Sequence, residues 1–564
     1  MLKRLKSFRR ALIDYRRLGI GALRHSSGGL LRYEIEERVA VQSNDIIANA
    51  FQKRLGDMTL PRDDMLHFMV FARNTYFFFM RPHFTRWVVL RARLTKTDDG
   101  VDPISPGACI SRLIKIQMCC QIGARIIASM IRFRKVSQHS HAVSEPTSGA
   151  TVAVVNYLGI SPNHRNDLFW LTKGTVSKVG KVVLLVGTTK EVETATCQRN
   201  AFLSALIMKG LPTPEILILS LDTAIAPRPF SLIRKSFNLK INATRTNFLD
   251  RCFLRISHLY YMRLRESFAY FLETSGATVL TSSNPSFINA AISGAAFQES
   301  CTSVFRELSV WGNWSEVYRN KVICDCFSSI SPTSKTYLKE TNPHVGQVRT
   351  QNIGICTPAA PLECRDTGKE KSFRILLLGS NIGKNLSFRG PQVIPEGIAT
   401  LEIRSFSQWA MIQDSLFVRV KEKKEGPGIK SIRSIVLECT DGTNDTTFGG
   451  WEETTNLPPH QFVEQIDLAL AIGTFYPSSL HELSTTLPKD RCLFWDIAGL
   501  TSRYPSICDV APISIARSLA DVKAHILRLR ASNMAPALEK SSTGSGSFEA
   551  WLLETLEKPP KRLR

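Results

Sequence analysis

The chain has 564 residues, which is more than one hydrophobic core usually supports, so its length predicts two domains with extensions. Hydrophobic residues make up 43% of the chain and the mean hydropathy is -0.05, and these values exclude a globally disordered protein. The 72 lysines and arginines outnumber the 49 aspartates and glutamates, which gives a formal net charge of +23. This excess favours an anionic partner, such as phospholipid headgroups, nucleic acid or a phosphorylated substrate; a solvated basic surface is the alternative.

The cysteines and the hydrophobic runs exclude two further classes. No C-x-x-C pair occurs among the 13 cysteines, and no cysteine or histidine cluster has zinc spacing, so we expect reduced thiols and no bound metal. No apolar run reaches the roughly 18 residues of a transmembrane helix. The nearest candidate, residues 66–90, is interrupted by Arg73, Arg81 and Arg86. The sequence therefore predicts a cytoplasmic protein without a transmembrane helix.

Residues 1–145 are predicted to form a basic helical region. The first helix carries an apolar stripe at spacings of three or four residues, which consists of Leu2, Leu5, Phe8, Leu12 and Tyr15. Lysines and arginines occupy mostly its other faces. Such a helix can lie in a membrane interface with its cations on anionic headgroups, although a surface helix packed on the protein is the alternative. A second apolar and basic helix is predicted over residues 108–135, before a polar linker.

Strands that alternate with helices follow, and this pattern predicts a first Rossmann-like unit over residues 150–340. Short aliphatic or β-branched runs mark the strands, as in a parallel sheet covered on both faces. The predicted strands are Ala153–Tyr157, Val182–Gly187, Glu215–Leu221 and Ala277–Thr281. Residues 341–371 lack periodicity and are rich in threonine, proline and charge, so they are predicted to be a linker.

A second Rossmann-like unit is predicted over residues 372–530, which makes the fold class α/β. Its predicted strands are Phe373–Gly379, Leu416–Val420, Ile435–Glu438, Leu468–Ile472 and Cys492–Trp495. A helix over Ser518–Arg530 is expected to close the unit. Residues 531–564, which contain SSTGSGS and end in KPPKRLR, are predicted to be a flexible basic tail.

Polar residues follow three strands of the second unit at the points where the strands end. Because ligands of an open α/β sheet bind beyond the carboxyl ends of its strands, we expect these residues to form one site. Cations, hydroxyls and a helix N-terminus at that edge favour a phosphate-bearing ligand. Each group alone has an ordinary alternative: a turn, a surface ion pair or a helix cap. The predicted donor-binding residues are Gly379, Ser380, Asn381, Arg419, Lys421, Ser478, Ser479 and Glu482.

The segments VRVKEK (Val418–Lys423), DLALAIGTFYPSSLHE (Asp467–Glu482) and CLFWD (Cys492–Asp496) resemble the donor half of GT-B glycosyltransferases from bacterial surface-polysaccharide biosynthesis. Residues 278–308 and 327–338 resemble the end of that family's acceptor domain. Two positions depart from the pattern: Lys423 stands where the family has a histidine, and Ser309-Val310-Trp311-Gly312 replaces an H-G loop. The resemblance implies two Rossmann-like domains that face each other across a cleft.

The resemblance also implies a function. A GT-B enzyme would move a sugar from a nucleotide-sugar donor to a glycan acceptor, here expected to be lipid-linked, without a metal or another cofactor. The basic N-terminal helices would hold it on the inner face of the membrane, and nucleic acid is a less favoured partner because exposed aromatic stacking platforms are not interleaved with the cations. A polyol-phosphate transferase, a nucleotide-sugar epimerase and an inactive GT-B-like binding protein are the alternatives.

Catalysis in such an enzyme needs a base near the acceptor hydroxyl. The loop after the first predicted strand of the first unit, GISPNHRNDLFW (Gly159–Trp170), contains His164 and Asp167. We predict that His164 is the base and that Asp167 orients it or is itself the base. A solvated loop histidine without a catalytic role is the alternative.

Overall fold

The structure of the protein is a computed structural model. It describes residues 65–80, 108–134, 149–239, 247–306, 322–350, 372–439, 448–497, 513–532 and 548–558, with gaps inside several of these ranges, and a few single residues elsewhere. The helix predicted at the N-terminus lies outside the described residues except for Lys6, Arg9 and Ile13, which are exposed. No helix in the described part of the chain is long and apolar enough to cross a membrane.

The helices α1 (65–80) and α2 (Ala108–Arg134) precede the first sheet. The sheet has seven parallel strands: β1 (Ala150–Val155), β2 (Val179–Val186), β3 (Glu215–Ser220), β4 (Val279–Ser282), β5 (Thr302–Arg306), β6 (Cys324–Ser329) and β7 (Val345–Thr350). Its helices are α3 (Lys173–Val176), α4 (Thr189–Met208), α5 (Pro229–Phe237), α6 (Phe248–Ser275) and α7 (Asn289–Gln298).

The strand order of the first sheet is β3-β2-β1-β4-β5-β6-β7. From β1 the chain adds β2 and β3 on one side, and it then crosses to the other side of β1, where it adds β4 to β7. This change of side between β1 and β4 is that of a doubly wound fold. The central strands β1 and β2 are mostly apolar because both faces of the sheet are covered. All four strands predicted for this unit are confirmed, with ends that shift by a few residues.

The boundary predicted at residue 341 is wrong. The start of the predicted linker contains β7, which pairs with β6 from Cys324 opposite Val345 to Ser329 opposite Thr350. The first unit therefore extends at least to Thr350. The sequence VGQVRT has too few apolar residues to predict a strand. Hydrogen bonding to β6 stabilises the extended conformation that its own residue pattern does not favour.

The second sheet has six parallel strands in the order β13-β11-β8-β14-β15-β16. These are β8 (Phe373–Leu378), β11 (Leu416–Lys421), β13 (Phe448–Gly449), β14 (Leu468–Gly473), β15 (Cys492–Asp496) and β16 (Ser514–Ala516). A small separate sheet joins β9 (Asn381–Gly383), β10 (Val393–Pro395) and β12 (Ile429–Lys430). The helices are α8 (Glu396–Met411), α9 (Ile432–Cys439), α10 (Ser478–Ser484) and α11 (Leu519–Ala531). Two parallel α/β units are thus present, as predicted.

One predicted strand of the second unit, Ile435–Glu438, is wrong because α9 contains these residues. Ile432, Ile435 and Val436 are all buried, and their spacing of three and four residues is that of one helix face. The hydroxyl of Ser431 accepts a 2.9 Å hydrogen bond from the backbone N–H of Ser434, which caps the first turn. Periodicity alone does not separate so short an apolar run into strand or helix.

The N-terminal helices share a hydrophobic core with the first unit. Phe68 and Phe71 of α1 and Met118 and Ile122 of α2 are fully buried in a cluster that includes residues of α6 and α7. Tyr76, Phe77 and Phe79 belong to this cluster too, whereas Phe78 is exposed. Within the described residues, the region predicted as separate is therefore an added helical layer on the first unit.

A buried ion pair also joins the N-terminal layer to the first unit. The ammonium of Lys115 on α2 contacts the carboxylate of Asp250 in the first turn of α6, and the two side chains are 2% and 3% exposed. The side chain of Asn247 caps the same helix by accepting a 2.9 Å hydrogen bond from the backbone N–H of Asp250. The two charges therefore fix how α2 lies on α6.

Part of the predicted flexible tail is a helix, α12 (Phe548–Glu557), so that prediction is wrong for these residues. Phe548, Trp551 and Leu552 are buried in the core of the first unit. Arg349 of β7 donates hydrogen bonds of 2.5 and 3.0 Å to the carboxylate of Glu554. The helical spacing of the apolar residues explains the outcome, since it gives α12 one face to bury.

Candidate functional site

The carboxyl edge of the second sheet is built by neighbouring strand ends. Lys421, the last residue of β11, lies opposite Leu378, the last residue of β8. The backbone N–H of Gly379 donates a 2.9 Å hydrogen bond to the carbonyl of Lys421, which holds the two ends together. The next strand, β14, ends at Gly473, and α10 begins at Ser478. Three of the predicted groups therefore do start from one edge.

Lys421 and Glu482 are brought close together, although 61 positions separate them in the chain. Burial lowers the pKa of Lys421 to about 8, while the nearby Glu482 carboxylate opposes this shift. Glu482 is only 5% exposed, because Leu480 and Leu483 on the same helix are fully buried and anchor α10 against the sheet. The edge thus holds a half-buried cation and a buried carboxylate.

This pair can bind a ligand of a particular kind. An ammonium in a partly desolvated position binds a phosphate more strongly than an exposed ammonium, since the local dielectric constant is lower. A carboxylate accepts hydrogen bonds from hydroxyl groups. A phosphorylated and hydroxylated ligand satisfies both groups, as the sequence predicted for this edge.

Arg419 has a different environment from Lys421, even though both belong to β11. Its guanidinium donates a 2.8 Å hydrogen bond to the side-chain oxygen of Gln465 and lies over the ring of Phe417. Gln465 precedes β14, so this bond draws Arg419 toward the end of the sheet where strands begin. The donor-binding role of Arg419 stays a prediction, and the structure gives the residue a structural partner.

The remaining predicted donor residues are described in part. Gly379 follows β8 and is half-buried, and Ser479 in the first turn of α10 is half-buried as well. Asn381 begins β9, so the loop predicted here contains a strand. Ser478 begins α10. The side chains of Asn381 and Ser478, and the whole of Ser380, lie outside the described residues, and their roles stay predictions.

Two aspartates of the segments that carry the family resemblance have structural roles. The carboxylate of Asp467 accepts a 2.8 Å hydrogen bond from the backbone N–H of Arg374, at the amino end of β8. The carboxylate of Asp496 at the end of β15 accepts hydrogen bonds from the backbone N–H and the hydroxyl of Thr501, at 2.8 and 2.7 Å. Asp496 therefore positions the chain at the carboxyl edge, whereas Asp467 joins the chain before β14 to the amino end of β8.

The predicted catalytic residues of the first unit give a different result. His164 lies outside the described residues. Asp167 is 3% exposed; its backbone N–H donates to the carbonyl of Gly159 at 2.9 Å, and its carbonyl accepts from the indole of Trp170 at 3.0 Å. A side chain so deeply buried is shielded from a bulky acceptor in this conformation. The catalytic role of Asp167 stays a prediction without support from its position.

The carboxyl edge of the first sheet contains polar residues that the sequence argument missed. Asn156 follows β1, Ser282 and Ser283 end β4, and Arg306 ends β5 opposite Ser328 of β6. All except Asn156 are buried. The signal that could have identified them is the same one used in the second unit, a polar residue at the end of an apolar strand.

Two doubly wound parallel sheets define an α/β protein with two Rossmann-like units. No protein-family model matches the chain, and no curated protein matches it. Solved structures of nucleotide-sugar enzymes are similar to it. UDP-GlcNAc 2-epimerase from Neisseria meningitidis, bound to UDP-GlcNAc, is 12% identical with a TM-score of 0.39, over 72% of this chain and 100% of that chain.

Two glycosyltransferase structures are similar at the same level. A glycosyltransferase from Rickettsia africae ESF-5 is 11% identical with a TM-score of 0.38, over 72% of this chain and 93% of that chain. MurG from Acinetobacter baumannii is 10% identical with a TM-score of 0.34, over 73% of this chain and 99% of that chain.

Proposed function

We propose that this protein binds a nucleotide sugar at the carboxyl edge of its second sheet and transfers the sugar to a glycan acceptor. The observation that carries the proposal is that the buried carboxylate of Glu482 on α10 acts electrostatically on Lys421, the last residue of β11. Lys421 contacts the diphosphate, and Glu482 accepts hydrogen bonds from the hydroxyl groups of the sugar or the ribose. The proposed transfer uses no metal or other cofactor.

The chemistry assigned to Lys421 follows from its charge. Transfer of the sugar leaves a nucleoside diphosphate whose negative charge grows as the glycosidic bond breaks. A fixed cation in a partly desolvated position stabilises that developing charge more than it stabilises the ground state. Because its pKa is about 8, Lys421 carries this charge at neutral pH.

Three alternatives use the same diphosphate contact. A polyol-phosphate transferase would transfer a polyol phosphate from a nucleotide-activated polyol and release a nucleoside monophosphate, and a nucleotide-sugar epimerase would invert one centre of the sugar without an acceptor. Binding without turnover is favoured by one observation, the burial of Asp167, because no other candidate base is placed by the described residues. The product formed from the bound nucleotide sugar separates these cases.

Calorimetry with a panel of nucleoside mono- and diphosphates tests the proposal. We expect saturable binding of a nucleoside diphosphate, stronger than that of the corresponding monophosphate, because the second phosphate lies against Lys421. The best-bound nucleotide then selects the activated sugars for a product assay with glycan acceptors. Absence of diphosphate binding would sink the proposal, and epimerised sugar or polyol-phosphate product would assign the alternative chemistry.

The affinity for the nucleoside diphosphate is expected to depend on pH through Lys421. The ligand binds the protonated lysine, so affinity is constant well below the pKa of about 8 and falls about tenfold per pH unit well above it. Lys421→Arg keeps the positive charge at all these pH values. The affinities of both proteins are measured between neutral pH and pH 9.5, and the ratio of wild-type to variant affinity is taken at each pH. Ionisation of the ligand affects both affinities equally and therefore cancels in this ratio. Equal pH profiles for the two proteins would contradict the role of Lys421.

The proposal also places the protein on the inner face of the membrane with a lipid-linked acceptor. The excess of positive charge supports contact with anionic headgroups. The sequence assigned this contact to the first helix, which lies almost wholly outside the described residues.

A further inference from the structure

The outward face of α2 carries a line of exposed apolar residues. Leu113, Ile116 and Ile127 are 60%, 46% and 58% exposed, and Cys120 and Ala124 between them are exposed as well. At about 100° per residue, these five positions fall within about 80° of arc. We name this line the α2 stripe.

The opposite face of the same helix is already used. Ile114, Met118, Ile122 and Ile126 are buried in the core that joins the N-terminal layer to the first unit. The α2 stripe is therefore a second apolar face of this helix, separate from the face that packs on the described part of the first unit. Single exposed aliphatic residues are common, but an aligned set over about 21 Å of one helix is typical of an interaction surface.

The charge around the α2 stripe identifies its partner. Residues 108–135 contain six lysines and arginines and no aspartate or glutamate, and residues 65–80 of the neighbouring helix contain no acidic residue either. Of these cations, Lys115 is buried against Asp250, whereas Arg125 is exposed. Arg112 is exposed beside Leu113. Apolar side chains in line with flanking cations suit the interface of an anionic bilayer, where the aliphatic groups enter the boundary of the acyl chains and the cations meet headgroups.

We propose that the α2 stripe is a surface by which this protein lies on an anionic membrane. The inference deepens the membrane part of the proposed function, and it places the contact on a described helix that is rigidly packed on the first unit. The Lys115–Asp250 pair holds α2 in this position, so the first unit itself, and any acceptor bound there, lies next to the bilayer.

Vesicle flotation of the full chain tests the surface. We compare the wild type with a triple variant, Leu113→Ser, Ile116→Ser and Ile127→Ser, on phosphatidylcholine vesicles with and without phosphatidylglycerol. The wild type is expected to bind the anionic vesicles preferentially, and the triple variant to partition at least about tenfold more weakly. Because all three side chains are exposed, the variant should keep the unfolding midpoint of the wild type.

A matched control comes from α4, where Ile207 and Met208 are 65% and 82% exposed. The double variant Ile207→Ser and Met208→Ser removes exposed apolar surface elsewhere on the same unit and is expected to float like the wild type. Equal flotation of the triple variant and the wild type, or equal losses in both variants, would overturn the proposal. The proposal would also be overturned if the wild type did not bind vesicles and sedimentation showed that it self-associates through the α2 stripe.

The outcome is independent of the nucleotide site. Diphosphate binding measured on the triple variant is expected to equal that of the wild type, because Lys421 belongs to the second unit. Lost flotation with intact diphosphate binding supports the membrane surface, and intact flotation without diphosphate binding removes the proposed function while leaving the surface in place.

Discussion

Asp250→Asn is expected to lower the free energy of unfolding by about 3–5 kcal/mol, because the substitution leaves the ammonium of Lys115 buried without its counter-charge. Both side chains are almost completely excluded from solvent. An uncompensated charge at such a position loses its hydration and gains nothing in return. Since the pair joins α2 to α6, the N-terminal layer should become loose first.

Urea unfolding, combined with limited proteolysis within residues 108–134, measures this effect. Replacing both partners, Lys115→Met with Asp250→Leu, is expected to recover most of the lost stability, because two apolar side chains need no counter-charge. Glu438→Gln is the matched control: its partner Arg404 lies 3.6 Å away and both side chains are about half exposed, so the loss should stay below about 1 kcal/mol. Similar losses for Asp250→Asn and Glu438→Gln would contradict the buried pair.

Eight strands could be predicted because each contains a mainly apolar run that ends near a turn residue: β1, β2, β3, β4, β8, β11, β14 and β15. β2 and β14 show this pattern, and both are buried along almost their whole length. Where the local pattern is short or mixed, the sequence failed. Ile435 belongs to a helix, and β7 is a strand only through its pairing with β6. The outcome there depends on tertiary contacts, which single-sequence periodicity does not contain.

Contacts between distant residues are the second limit. Lys115 and Asp250 are 135 positions apart, and neither lies in a motif, so nothing in the sequence pairs them. The same holds for α12, whose apolar face could be recognised but whose partner, the first sheet, could not. The burial of Asp167 could not be predicted either, because the loop that contains it is rich in polar residues and such loops are usually exposed.

One general rule about parallel sheets predicted part of the candidate site. Ligands bind at the carboxyl ends of parallel strands, and this rule alone put Lys421 and Glu482 at the same edge. The rule does not give the direction of a side chain along its strand. Arg419 and Lys421 share one face of β11 by alternation, yet hydrogen bonding to Gln465 separates Arg419 from Lys421.

Lys421→Ala is expected to weaken the binding of a nucleoside diphosphate by about 100-fold, which corresponds to about 2.8 kcal/mol. The substitution removes a charge-assisted contact to a phosphate at a partly desolvated position, where such contacts are strongest. The variant should remain folded, because burial lowers the pKa of Lys421 and the folded state therefore gains nothing from its charge. Calorimetry at neutral pH measures the affinity, and thermal unfolding checks the fold.

Lys523→Ala provides the control for loss of a lysine in the same unit. Lys523 lies on α11, where its ammonium is placed over the ring of Trp409, and its removal should change the affinity less than about threefold. Glu482→Gln tests the other partner: without the carboxylate that raises the pKa of Lys421, the pH above which affinity falls should move below that of the wild type. An unchanged affinity in Lys421→Ala, or an unchanged pH profile in Glu482→Gln, would mean that the two residues meet at the strand end for structural reasons alone.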